Sequence, residues 1–522
     1  AWGQTADLLI ENANVYTGNA GQPKARSIAV KGARILAVGD DLRKFAGPET
    51  RRVDAKGATV IPGLIDCHVH MAGLGDSLEI LDLRAAKSAG EVVAKVAEAV
   101  RSRPKGEWIR GRAWDQTRWP GGEFPNSVEL SRVSKEHPVY LTRVDGHAAW
   151  VNEKALELAD VNAATKDPAG GRIHRDAAGK PTGVLVDRAM GLVSRKIPAA
   201  TAEQTKRRIL RATQECARLG LTSVHDAGVG AEQIAAYREL IASGQLLTRV
   251  YAMIGGAGAH WEAWLKRGPE VGDWLTVRSI KLMADGALGS RGAAMKEPYS
   301  DEPGNRGLLI LEREQIEKVA RQAVSRGFQV NTHAIGDRAN RTVLDAYGAA
   351  LGGANDKRFR VEHAQIVSLE DIPLFAKYGV IASVQATHAT SDMRWAEQRV
   401  GPRRVLGAYA WQRFLKAGVR IANGSDFPVE EPDPLAGFHA SVTRGGWTVD
   451  QALSREQALA SWTKDGAYAA FEEYSKGTIE ANKLADFIVL SKDIMRAPAA
   501  EILQTRVTMT VVGGRIVHTS LP

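Results

Sequence analysis

The sequence predicts an α/β protein: a (β/α)8 TIM barrel with a small β-sandwich domain and a large insertion after the first barrel strand. Three observations predict this. Short strand-like runs separated by turns stand at both ends of the chain, so the middle must be inserted into one terminal β-domain. From about residue 200, apolar runs of strand length alternate with amphipathic helical stretches, the repeat of a parallel sheet. Residues from about 72 to 200 break that repeat.

In chain order, strands are expected at Asp7–Tyr16, Ser27–Val38 and Arg52–Val60, then at Leu484–Leu490 and on both sides of Gly513-Gly514 within Val507–His518. The sandwich is therefore assigned to 1–60 and 477–522, and the barrel to 61–476. The barrel strands are Leu64–Cys67, Thr222–His225, Arg249–Met253, Ser279–Met283, Gln329–His333, Phe359–His363, Ile381–Gln385 and Ile421–Gly424. Ala202–Leu219, Arg313–Arg326 and Arg338–Leu351 read as helices between them. The insertion, about 72–200, is rich in Trp, Gly, Pro and Arg, as in Arg112-Ala113-Trp114-Asp115. It reads as a lid over the C-terminal face, where barrel active sites sit.

Composition narrows the function. The 522 residues exceed one average domain, and 44% hydrophobic with 25% charged residues is ordinary for a globular chain. No apolar run reaches the roughly 18 residues of a membrane span. The net charge of +9 is spread, with Asp and Glu among the Lys and Arg, so nucleic acid is not an expected partner and a small molecule is. Homo-oligomerisation is left open. Cys67 and Cys216 form no disulfide framework. The chain starts Ala1-Trp2-Gly3-Gln4 without Met, which reads as a processed terminus and points to the periplasm or exterior, with the cytoplasm as the alternative.

The chemistry-bearing residues sit at strand ends. In Pro62-Gly63-Leu64-Ile65-Asp66-Cys67-His68-Val69-His70, the two histidines are i and i+2 and face one way. Imidazole suits Zn and similar metals. Lys281 lies in the apolar run Ser279–Met283; a buried ammonium needs a carboxylate partner, such as Asp285, or conversion to a carbamate. His333 and His363 end successive strands, and Asp426 follows the last one in Gly424-Ser425-Asp426-Phe427-Pro428. His225 ends the second strand, where it is placed to polarise a substrate carbonyl. In the insertion, Asp145 and His147 are candidates to reach substrate, and Trp114 and Trp119 to wall the pocket.

This order of ligand-competent residues resembles the amidohydrolase superfamily. Lys281–Gly289, His333–Arg338, Val361–Gln365 and Gly424–Val429 resemble its third family, the YtcJ-like or N-substituted formamide deformylase-like branch. Gly477-Thr478-Ile479-Glu480 with Lys483-Leu484-Ala485-Asp486 resembles its returning C-terminal strand, with Asn482 where Gly is expected. The resemblance implies that His68, His70, Lys281, His333, His363 and Asp426 bind two divalent metals, Zn above others, bridged by carbamylated Lys281 and a hydroxide. It implies that Asp426 moves the proton during hydrolysis of a small amide or related non-peptide C–N bond. A single-metal site, a deaminase or cyclic-amide hydrolase, and a barrel that binds a ligand without turnover are the competing readings. Lys281 argues against the deaminase, and the filled site against the last.

Overall fold

The computed structural model describes residues 5–143, 148–168, 171–289 and 291–520. It divides into two compact units, one of residues up to Leu74 with Thr205 onward, the other Gly75–Gln204.

The first unit holds the barrel. Eight parallel strands lie side by side in chain order: Leu64–Val69, Leu221–Val229, Arg249–Gly255, Leu275–Met283, Gln329–Ala334, Arg360–His363, Ile381–Gln385 and Ile421–Gly424. The first and last are the two edges of that sheet. Beyond Gly424 the chain joins them: Asp426 N–H donates to His68 O at 2.8 Å and His70 N–H to Phe427 O at 2.9 Å. Gly424 makes the approach feasible, because a Cβ there would stand 2.7 Å from Asp66 Oδ1 and 2.8 Å from His68 N. The helices Ala202–Arg218, Arg313–Arg326 and Asp337–Leu351 fall where periodicity expects them.

The chain termini build two further sheets in the same unit. One orders Arg34–Gly39, Ser27–Lys31, Leu8–Glu11 and Arg51–Asp54. The other orders Arg515–Thr519, Val507–Val512, Phe487–Leu490, Thr59–Pro62, Asn14–Tyr16 and Lys24–Ala25. Ile10 and Ile28 of the first pack with Val15, Val60, Phe487 and Val511 of the second in one apolar core. The run expected as one strand, Asp7–Tyr16, is two: Asn12 takes φ 54° and sends the chain from one sheet to the other. Asn482 adopts φ 72°, the left-handed conformation its turn requires.

The second unit is a folded α/β module. Its six-stranded sheet runs Gly171–Arg175, Pro181–Asp187, Ala148–Val151, Val139–Arg143, Ile109–Trp114 and Leu81–Asp82. Helices Ala89–Ser102 and Ser127–Val133 pack on it, Val92 and Leu130 meeting Ile109 and Leu141 in a buried core.

Candidate metal centre

Four histidines converge at the C-terminal ends of the barrel strands, and the protein fixes the orientation of three. His68 is fully buried, with Nδ1 2.6 Å from Glu362 Oε2 on the sixth strand. His70 Nδ1 lies 3.0 Å from Ala227 O, and His363 Nδ1 lies 2.6 Å from Gln385 Oε1. Carboxylate, carbonyl and amide oxygens only accept, so each Nδ1 carries the proton. Each Nε2 is then the ring's acceptor atom, and it faces the site. This is the second layer that holds a metal-ligating imidazole.

Those Nε2 atoms meet the remaining groups. Asp426 Oδ1 is 3.1 Å from His70 Nε2 and 3.5 Å from His68 Nε2, and Lys281 Nζ is 3.2 Å from His68 Nε2. The His363 ring stands 4.8 Å from that of His68 and 4.6 Å from that of His333. His333 Nε2 faces Gly286 O and Asp285 Oδ1, each at 3.3 Å. Donor atoms of His68, His363 and Asp426 all lie within 4.8 Å of one another.

The electrostatics suit a cation. Burial, with Lys281 close by, holds the His68 imidazolium pKa down to about 4, and burial drives His363 well below the usual histidine range. Neutral imidazole is the form that binds metal. Burial disfavours an ionised Asp426, but His68, His70, His363 and His388 more than offset it and hold the carboxyl well below its ordinary value. Glu362 is likewise held low against its burial, by His68 and then Arg360 and Lys281. Burial lowers Lys281, opposed by Glu362 and Asp426. Asp285 is engaged elsewhere, accepting from the backbone N–H of Ala294, Ile335 and Gly336 at 2.8–3.0 Å. The donor set, the fixed tautomers and the paired carboxylates fit a divalent metal.

Three of the left-handed non-glycine residues stand here. His363 (φ 75°), Ala364 (φ 41°) and Asp426 (φ 60°) are all left-handed. Such positions cost roughly 1–3 kcal/mol each and cluster at functional sites. Strand alternation would send Glu362 and His363 to opposite faces. The left-handed turn at His363 lets both serve the site.

Other expectations are corrected. His225 is not at a strand end: its strand continues to Val229, and the ring is fully buried. Its Nδ1 accepts from Arg360 Nη1 at 3.0 Å, so it braces the barrel interior and is not placed to touch a carbonyl. Trp114 and Trp119 do not wall a pocket. They lie in the insertion's own core, their rings 6.0 Å apart and their indole N–H groups donating to Leu141 O and Ala86 O. Asp145 and His147 lie outside the described residues.

Three contributors escape the sequence reading. Glu362 has the signal of an ionisable side chain inside a buried strand. Asp66 accepts from Ser425 N–H at 3.0 Å and Ser425 O–H at 2.6 Å, tying the last barrel strand to the first. His388, in the helix after the seventh strand, puts Nε2 3.6 Å from Asp426 Oδ2 and stacks on His363 at 5.8 Å. Its signal is its place, three residues past a strand end.

A (β/α)8 barrel with this rim defines the class of metal-dependent hydrolases. The chain belongs to the amidohydrolase family, whose model matches residues 51–518. It is 31% identical to the putative amidohydrolase YtcJ of Bacillus subtilis (strain 168), over 91% of this chain and 92% of that protein. It is 28% identical to the N-substituted formamide deformylase of Arthrobacter pascens, over 98% of both chains. The crystal structure of an uncharacterized metal-dependent hydrolase from Pyrococcus horikoshii OT3 superposes with a TM-score of 0.79 at 29% identity, covering 94% of this chain and 99% of that one.

Proposed function

We propose that this hydrolase cleaves a small non-peptide amide, an N-formyl or N-acyl amine, at a centre of two zinc ions. His68, His70, His333, His363 and Asp426 would hold them, with Lys281 bridging as a carbamate. The single observation that carries the reading is the trio of imidazoles whose protonated Nδ1 atoms leave three Nε2 lone pairs around Asp426. When bound, the metal supplies Lewis acidity toward a carbonyl and lowers the pKa of water.

The protein's own groups divide the remaining work. Glu362, Gln385 and the Ala227 carbonyl keep the imidazoles aimed, while burial keeps His68 and His363 neutral. Asp426, an ionised carboxylate between His70 and His388, accepts a proton at its carboxylate oxygen and passes it to the leaving nitrogen. As a carbamate, Lys281 would supply negative charge where a free ammonium would add a positive one. Two cations need an anionic bridge, and a third positive charge beside them would repel both.

The test is a screen of N-formyl and N-acyl amines, cyclic amides and esters with zinc-loaded protein, combined with elemental analysis. Cleavage of an acyclic amide, with about two metal ions per chain and loss of turnover on chelation, is expected. Full activity in metal-free protein would overturn the metal-dependent reading. A free Lys281 amine beside a single ion in a crystal structure would overturn the bridge.

A further inference from the structure

Beside the rim lies a cavity of about 620 Å³, of ordinary ligand-site size. His70 and Lys281 line it at the metal centre, and the exposed Glu262 and Lys318 of the helices Ala259–Arg267 and Arg313–Arg326 line it at the surface. One wall is bare backbone at the ends of the second and third barrel strands. Gly228 (φ 83°) and Gly256 (φ 73°) face open space, with no heavy atom within 4 Å of where a Cβ would stand. Hydrocarbon lines it as well, including Met283, Ile310 and Leu311. Met283 is 44% and Ile310 54% exposed. One exposed apolar residue needs no explanation, but a group of them in a concavity against a catalytic rim marks ligand binding.

We propose that this cleft holds a hydrocarbon arm of the substrate, so that alkyl- or aryl-substituted amides are preferred and Met283 and Ile310 set the preference. Calling the ligand a substrate rests on the amide-hydrolase reading; the binding of the arm does not. A polar group would sit at His70 and Lys281 while the arm lies against the glycine wall and Met283.

Two measurements separate the claims. Among N-acyl methylamines from propanoyl to hexanoyl, kcat/KM should rise about fourfold per methylene, the ratio for a buried CH₂ worth roughly 0.8 kcal/mol. Met283→Glu and Ile310→Glu should flatten that rise, both sites being open enough to accept a carboxylate without loss of fold. Leu308→Glu, an exposed residue of the same segment outside the cleft, should leave it intact. Calorimetric titration should show hexanamide binding at least about tenfold tighter than propanamide, with a negative heat-capacity change, and Met283→Glu should remove the difference. That binding preference without cleavage of any amide would uphold the cleft and overturn the amide-hydrolase reading alone. Equal affinity for the two amides, or a preference that survives both Glu variants, would overturn the cleft whatever the turnover.

Discussion

The barrel rim and the terminal β-sandwich are both buried, and opposite chemistry holds them. In the sandwich, Ile10, Val15, Ile28, Phe487 and Val511 are removed from water and need only shape and area. At the rim, His68, Glu362, His363 and Asp426 are equally buried, and each depends on a charged or hydrogen-bonding partner placed to within tenths of an ångström. A cation is the partner that would satisfy the Nε2 lone pairs still facing inward. The difference teaches that burial alone says little about role. The rim uses burial to set protonation states, while the sandwich uses it to fasten the two ends of the chain together.

The contrast can be broken first where the two regions join. Arg249 of the third barrel strand and Asp486, just before the returning strand, form a buried bidentate pair at 2.7 and 3.0 Å. Asp486→Ala leaves the guanidinium buried without its carboxylate and should cost about 3–5 kcal/mol of stability in denaturant titration. The kcat/KM of the fraction that stays folded should be unchanged; a large fall there would tie the sandwich to catalysis and end the contrast. Asp426→Asn should do the reverse. The amide keeps an oxygen ligand but accepts no proton, so kcat should fall roughly 10²-fold or more while metal content and the melting midpoint hold. A near-normal kcat would remove Asp426 from proton transfer.

Glu362→Gln sharpens the same contrast, since it keeps the shape and deletes the charge behind His68. Metal affinity should fall about ten- to a hundredfold in competition with a chelator. Smallest is the exposed pair Lys31–Asp7 at 2.6 Å, on the outer side of the sandwich. Hydrogen bonds from Lys31 and then Gly32 N–H lower the Asp7 carboxyl below its usual 3.8. Its stabilisation is therefore complete above that value and lost as pH falls through the lowered one. Lys31→Ala should cost less than about 1 kcal/mol at neutral pH, and the difference should vanish in acid and shrink in salt.

Much of the molecule was legible in the chain because its signals are local. The eight barrel strands announce themselves as apolar runs between amphipathic helices, and strand periodicity alone puts His68 and His70 on one side. His333, His363 and Asp426 are readable for the same reason, each within two residues of a strand end, and Lys281 is readable as an ammonium inside an apolar run. What escaped needs contacts between distant segments. That His363 reaches the site beside Glu362 depends on a left-handed backbone at His363, which no side-chain pattern reveals. That Trp114 and Trp119 are core residues depends on the Leu141 and Ala86 carbonyls finding their indoles. His225 was misplaced because its strand runs four residues past it, and the chain shows strand ends only through the residues that follow them. The sequence by itself determined the barrel and the six rim residues His68, His70, Lys281, His333, His363 and Asp426, because strand and helix periods are set by neighbouring residues. Only the tertiary structure decided which nitrogen of His68, His70 and His363 faces inward, which oxygens stand behind them, and where hydrocarbon lines the neighbouring cavity, because those follow from packing between distant segments.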